Sequence, residues 1–187
     1  MVGYGELLQT MGAMIIFSMI LLSANSMIQR NTLIQVEGEL EQEVIALAQD
    51  IIEEGRTKEF DERSQGAAPP AKIPGDFSSP SSLGTDATTN TSANVENDDT
   101  NSDGTIKRSE FDDFDDYDGW KDEIETEHGK FNIEAKVFYA DPSTYDYSGS
   151  RTTFKKMQVE ITSKFLTNSS NERTVYKLEY IRNYYAD

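Results

Sequence analysis

The sequence predicts an α+β protein: a long N-terminal helix, half transmembrane and half amphipathic, packed by a small antiparallel β-sheet. Three observations predict it. An uncharged run from Leu7 to Gln29 follows a single acid, Glu6. Beyond that run, apolar residues recur at the helical period. After Trp120 the pattern changes to strict alternation, the mark of half-buried strands.

The helix is expected over residues 1–55, with 7–28 as its membrane-spanning part. Leu7 to Ile28 comprises 22 residues, which is roughly 33 Å of helix and enough to cross a hydrocarbon core. Its polar members, Gln9, Thr10, Ser18, Ser23, Asn25 and Ser26, are all neutral. Further along, Leu33, Val36, Leu40, Val44, Leu47 and Ile51 recur with a mean spacing of about 3.6 residues, forming one apolar stripe. Gly55 supplies a natural C-cap. A cleaved secretory signal fits poorly, because its first segment should be basic and the first basic residue here is Arg30.

Glu6 stands at the head of this helix. A lone carboxylate beside a membrane-length apolar run is costly unless something pairs with it. The same residue also suits the positive end of the helix dipole, or a place among lipid headgroups. Both readings are open at this point.

Residues 56–98 change character. From Gly66 to Asn94 the chain is rich in Gly, Pro, Ser, Thr, Ala and Asn, without helical or strand period. An irregular surface loop is expected, since such a composition buries too little apolar area to offset the entropy of ordering. Asn90 and Asn168 begin sequons, which mark possible glycan sites on an outer loop.

Residues 99–120 are acidic and begin with a calcium-loop pattern. Asp99, Asn101 and Asp103 would supply side-chain oxygens, Gly104 the sharp turn, Thr105 a backbone carbonyl, and Glu110 the closing carboxylate. This matches the twelve-residue EF-hand loop in order, with apolar Ile106 at its eighth position and Lys107 at its ninth. Calcium needs six to eight oxygens, so this spacing along one loop is what it requires. The competing reading is a solvated Asp-rich loop without metal. The acidic run from Asp112 to Asp118 is expected to be solvated or to face a metal.

Residues 121–187 are expected to form the sheet of a globular head. Phe131, Ile133, Ala135, Val137 and Tyr139 alternate with polar neighbours in one strand. Met157, Val159 and Ile161 do so in a second, and Tyr176, Leu178 and Tyr180 in a third. Asp141 to Ser150 joins the first two, and Asn168 to Asn171 the last two. The Leu33–Ile51 stripe is the surface such a sheet needs to cover.

Composition narrows function. Net charge is −17, from 17 basic and 34 acidic residues, and a chain so acidic repels nucleic acid. Cysteine is absent, so no disulfide holds an exported part. His128 is the only histidine, leaving no partner for a His-based triad or zinc cluster. It is read as an exposed turn residue. No phosphate-binding glycine loop is present, and no enzymatic activity is expected.

In layout the chain resembles the type IV pilins and the secretion pseudopilins. The resemblance rests on the apolar helix headed by Glu6, the amphipathic continuation, the segment Asp115-Asp116-Tyr117-Asp118-Gly119-Trp120, and the sheet that follows. If Met1 were removed, Glu6 would stand fifth, where that family carries its glutamate. The resemblance implies that Glu6 neutralises the amino terminus of an adjacent subunit. It further implies a structural subunit of an extracellular filament on the cell surface, built from identical copies. Such a subunit would be held in the inner membrane before assembly and handled by the pilus assembly machinery. A minor pseudopilin of a secretion system is one alternative. A monomeric, membrane-anchored calcium-binding surface protein is another.

Overall fold

The computed structural model describes residues 3–64, 72–85, 106–167 and 173–185. It has the α+β arrangement the sequence predicts: one long helix, α1 (Tyr4–Thr57), and a four-stranded antiparallel sheet. The strands are β1 (Lys121–Thr126), β2 (Gly129–Tyr139), β3 (Phe154–Thr167) and β4 (Arg173–Asn183), paired in the order β1-β2-β3-β4. Chain contacts divide the molecule into two units, Met1–Gln42 and Glu43–Asp187.

In the second unit the sheet presents one apolar face. Register places Ile133 opposite Ile161, Ala135 opposite Val159 and Val137 opposite Met157, and all six are buried. Period-two alternation puts them on the same side of the sheet. Beyond them β4 contributes Tyr176, Leu178 and Tyr180, which are half-buried on this edge strand.

The C-terminal part of α1 lies against this face. Val44, Ala48, Ile51 and Ile52 are buried at helical spacing. At Gly55 an added Cβ would come within 2.9 Å of the Met157 terminal methyl and 3.5 Å of the Phe114 ring. Gly55 is therefore a packing glycine and not the C-cap expected from its position, and the helix continues to Thr57. The carbonyls at the helix end are taken by Arg182 of β4, whose Nη1 donates to Gly55 O, Lys58 O and Glu59 O at 3.3, 2.7 and 3.1 Å. A cation at this end also opposes the negative pole of the helix.

Four further expectations change. The apolar stripe is not buried from Leu33: Leu33 is 62% and Val36 44% exposed. A strand precedes the three expected, because β1 (Lys-Asp-Glu-Ile-Glu-Thr) carries one apolar residue and so shows no alternation. It is an edge strand, held by backbone pairing to β2 and by ion pairs Lys130–Glu123 and Lys121–Glu134. Such charged edges discourage pairing with other chains.

The segment read as a surface loop is irregular but anchored in its described part, 72–85. Phe77 is fully buried, its ring centroid 5.2 Å from that of Phe60 and 5.1 Å from that of Tyr184. Ile73 and Leu83 pack against the same cluster. Finally, the acidic run is not solvated: Asp113, Asp115 and Asp116 are all buried.

Candidate functional sites

The apolar half of α1 is the first site. Met14, Ile15, Ile16 and Phe17 are consecutive, so they point around nearly the whole helix circumference, and each is more than 60% exposed. An amphipathic surface helix would show one apolar stripe; a helix apolar all round belongs in a membrane or in the core of an assembly. By length and composition this helix is able to cross a membrane, and none of its most apolar window is buried. Several of its polar side chains are satisfied internally. Thr10 donates to Leu7 O at 2.9 Å, Ser18 to Met14 O at 2.8 Å, and Ser26 to Ser23 O at 2.9 Å. Such back-bonding lets a hydroxyl sit in an apolar medium without losing a hydrogen bond.

Glu6 lies in the first turn of α1, solvent-exposed, with its backbone N–H donating to Gly3 O at 3.0 Å. That position places the side chain at the positive pole of the helix dipole.

Of the calcium-loop residues, Asp99, Asn101, Asp103 and Thr105 fall outside the described part of the chain. Glu110 is described. Its Oε2 accepts the Lys107 backbone N–H at 3.0 Å, capping a short 3-10 turn over Arg108–Glu110. Among the described residues, no group of three His, Asp or Glu side chains is arranged to hold a metal ion.

The second unit contains a charged centre that the sequence reading did not identify. Lys155 of β3 is fully buried. Its Nζ donates to Asp61 Oδ2 at 2.8 Å, to Phe60 O at 2.8 Å, and to Asp115 Oδ1. The rings of Phe60 and Tyr139 stand 4.8 and 5.3 Å from the same nitrogen. Asp61 is further held by the Ser78 backbone N–H at 3.0 Å and by the Tyr139 hydroxyl at 3.0 Å.

The acidic run folds around itself. Asp116 Oδ2 accepts the N–H groups of Asp112 and Asp113, and Asp113 Oδ1 accepts those of Asp115 and Asp116. Asp118 Oδ1 accepts the Val137 N–H at 2.9 Å, where β2 runs past the end of β1. Carboxylates at these spacings thus close a turn, with one 3-10 segment over Asp115–Tyr117, instead of facing solvent.

Electrostatics distinguish these acids. Burial pushes Asp61 up, but the Lys155 charge and hydrogen bonds from Lys155, Ser78 and Arg63 outweigh it and hold Asp61 below the ordinary carboxylate range. Asp113 moves the other way: burial and the neighbouring Asp115 keep it protonated well above that range. Asp115 is also raised by burial, with Lys155 opposing. Lys155 stays charged because its pairing with Asp115 and Asp61 outweighs the effect of its burial.

The signal for this centre was present in the strands. Ile161, Val159 and Met157 continue inward to Lys155, and Tyr176, Leu178 and Tyr180 continue to Arg182. Register pairs Lys155 with Arg182, placing two cations side by side on the inner face at the end of the sheet. His128 is an exposed turn residue as expected, in the turn that joins β1 to β2, and its Nδ1 lies 2.9 Å from Glu43 Oε2 of α1.

Compared with models of known families, with curated proteins and with solved structures, the chain matches none.

Proposed function

We propose that this chain is a structural subunit of an extracellular type IV pilus-like filament, assembled through its apolar N-terminal helix. The observation that carries the reading is the exposed, all-round apolar surface of residues 7–28. Each large apolar side chain left in water forgoes about 1.5–3 kcal/mol of burial. With more than ten of them, the deficit exceeds the whole stability of an ordinary domain, about 5–15 kcal/mol. This stretch therefore resides in a membrane or against other helices. Identical copies, stored in the inner membrane and transferred by pilus assembly machinery, provide both environments in turn. The acidic second unit would coat the outside, on the cell surface.

Glu6 then acts as the pairing group, meeting the amino terminus of a neighbouring helix inside the bundle. Opposite charges brought together in an apolar medium offset a desolvation cost that neither bears alone. The loop from Asp99 to Glu110 is proposed to bind calcium through Asp99, Asn101, Asp103, the Thr105 carbonyl and Glu110. In that state the Glu110 carboxylate is shared between the ion and the Lys107 N–H.

The test is Glu6→Ala in the full chain, scored by membrane insertion and by sedimentation of sheared surface material. The expected outcome is normal insertion with at least a tenfold loss of sedimenting polymer. Equal yields of polymer from both chains would remove Glu6 from assembly.

A further inference from the structure

We propose that Lys155 and Asp115 condense into an intramolecular isopeptide bond, with Asp61 accepting a proton from the amine and Asp113 relaying one to the departing oxygen. The four side chains occupy one enclosed site: relative exposure is 0% for Lys155 and Asp61, 3% for Asp115 and 1% for Asp113. The Lys155 amine contacts both Asp115 and Asp61, and the faces of Phe60 and Tyr139 close over it. Holding an amine against a carboxyl in this way replaces a bimolecular encounter by an oriented one, which is worth several orders of magnitude in rate.

The two neighbouring acids differ as the reaction requires. Asp61 receives the Ser78 and Arg63 N–H groups, the Ser78 hydroxyl and the Tyr139 hydroxyl, so it persists as a carboxylate able to take a proton. Asp115 Oδ1 contacts Lys155, and the Asp115 backbone N–H donates to Asp113 Oδ1 at 2.7 Å, which holds the Asp113 carboxyl beside it. It is therefore the carboxyl open to attack.

Atoms balance without any added reagent. One Nζ proton passes to Asp61, and the freed amine lone pair forms the Nζ–Cγ bond to Asp115. The Cγ–Oδ bond then breaks. The departing oxygen takes the Asp113 proton, which a second Nζ proton replaces, and it takes the proton held by Asp61. The products are one secondary amide and one water, and no group is oxidised or reduced. Condensation also replaces a buried ion pair, expensive to desolvate, by a neutral amide. Because the ammonium form is favoured at rest, the bond is expected to form slowly in the folded chain. The inference does not depend on the filament reading, since all the atoms lie within 43–187.

Intact mass spectrometry of the purified full-length chain in detergent tests it. The expected mass is lower than the sequence mass by one water molecule. Trypsin should then release a branched peptide joining 109–121 to 152–156, with no cleavage after Lys155. The full sequence mass with ordinary cleavage after Lys155 would overturn the proposal, and so would a branch ending on Asp61. Asp113→Asn keeps an oxygen for the N–H groups of Asp115 and Asp116 but has no proton to relay. That variant should retain the full mass with an unchanged circular dichroism spectrum. If it loses water as completely as the parent, the role given to Asp113 is wrong.

Discussion

Lys155 is enclosed by groups that a β-strand side chain rarely meets: two carboxylates, a peptide carbonyl and two ring faces. A buried cation is tolerated only with such complete satisfaction, because a missing partner leaves an uncompensated charge in an apolar surround. The cluster is also why the acidic run folds inward, whereas its composition alone reads as solvated. No local period reports that Asp115 and Asp61, 40 and 94 residues away in the chain, will meet Lys155; the bridge between Glu59 and Asp113 sets the two acidic segments side by side over the end of β3. Asp113 gives the cluster a defined pH response. Its folded-state value is raised, mainly by burial, so its contribution to stability is full below the ordinary value of about 4 and is lost as pH rises toward the folded value. Asparagine at 113 has nothing to ionise. The melting temperature of Asp113→Asn relative to the parent should therefore climb steadily from about pH 4 toward neutrality. Parallel curves would show that Asp113 is not held neutral. Burial is the main cause of the shift, so this trend does not require the Lys155–Asp115 link.

At the scale of elements, the long helix and strands β2, β3 and β4 were legible because their apolar residues keep one period over many positions. Phe131 to Tyr139 alternates apart from Phe138 on the outer face, and its burial follows that alternation. Strand β1 was not legible, since its pairing is carried by the backbone and by ion pairs, with Ile124 its sole apolar residue. The helix end was misread at Gly55 because a glycine needed for close approach looks like one needed for a cap. What distinguishes them is Met157, distant in sequence and 2.9 Å from the absent Cβ. Arg182 performs the capping instead, from the far end of the chain. The segment 72–85 teaches the same point: Phe77, with Ile73 and Leu83 beside it, anchors a stretch without a regular period. Phe77→Ala is expected to destabilise the second unit by about 3–5 kcal/mol, measured by urea denaturation. A loss below about 1 kcal/mol would mean that the segment is not anchored through this ring.

At the scale of the whole molecule, the two units have opposite relations to water. Residues 7–28 expose an apolar surface on every side, while 43–187 has its own core and an acidic exterior. A chain built this way is soluble only when copies or lipid cover the first unit. If the loop from Asp99 to Glu110 binds calcium, the ion should stabilise the chain by about 2.7 kcal/mol at a hundredfold excess over Kd. Thermal melting with calcium, and after chelation, reads this directly, and identical curves would remove the site. The central claim is that apolar helices of identical chains pack against one another. Its most direct measurement is electron microscopy of the purified full-length chain as detergent is withdrawn. Ordered filaments of uniform width, with the helix unit inside and the acidic unit outside, are the predicted result. Isolated molecules that re-enter lipid vesicles singly, and never form filaments at any concentration, would contradict it.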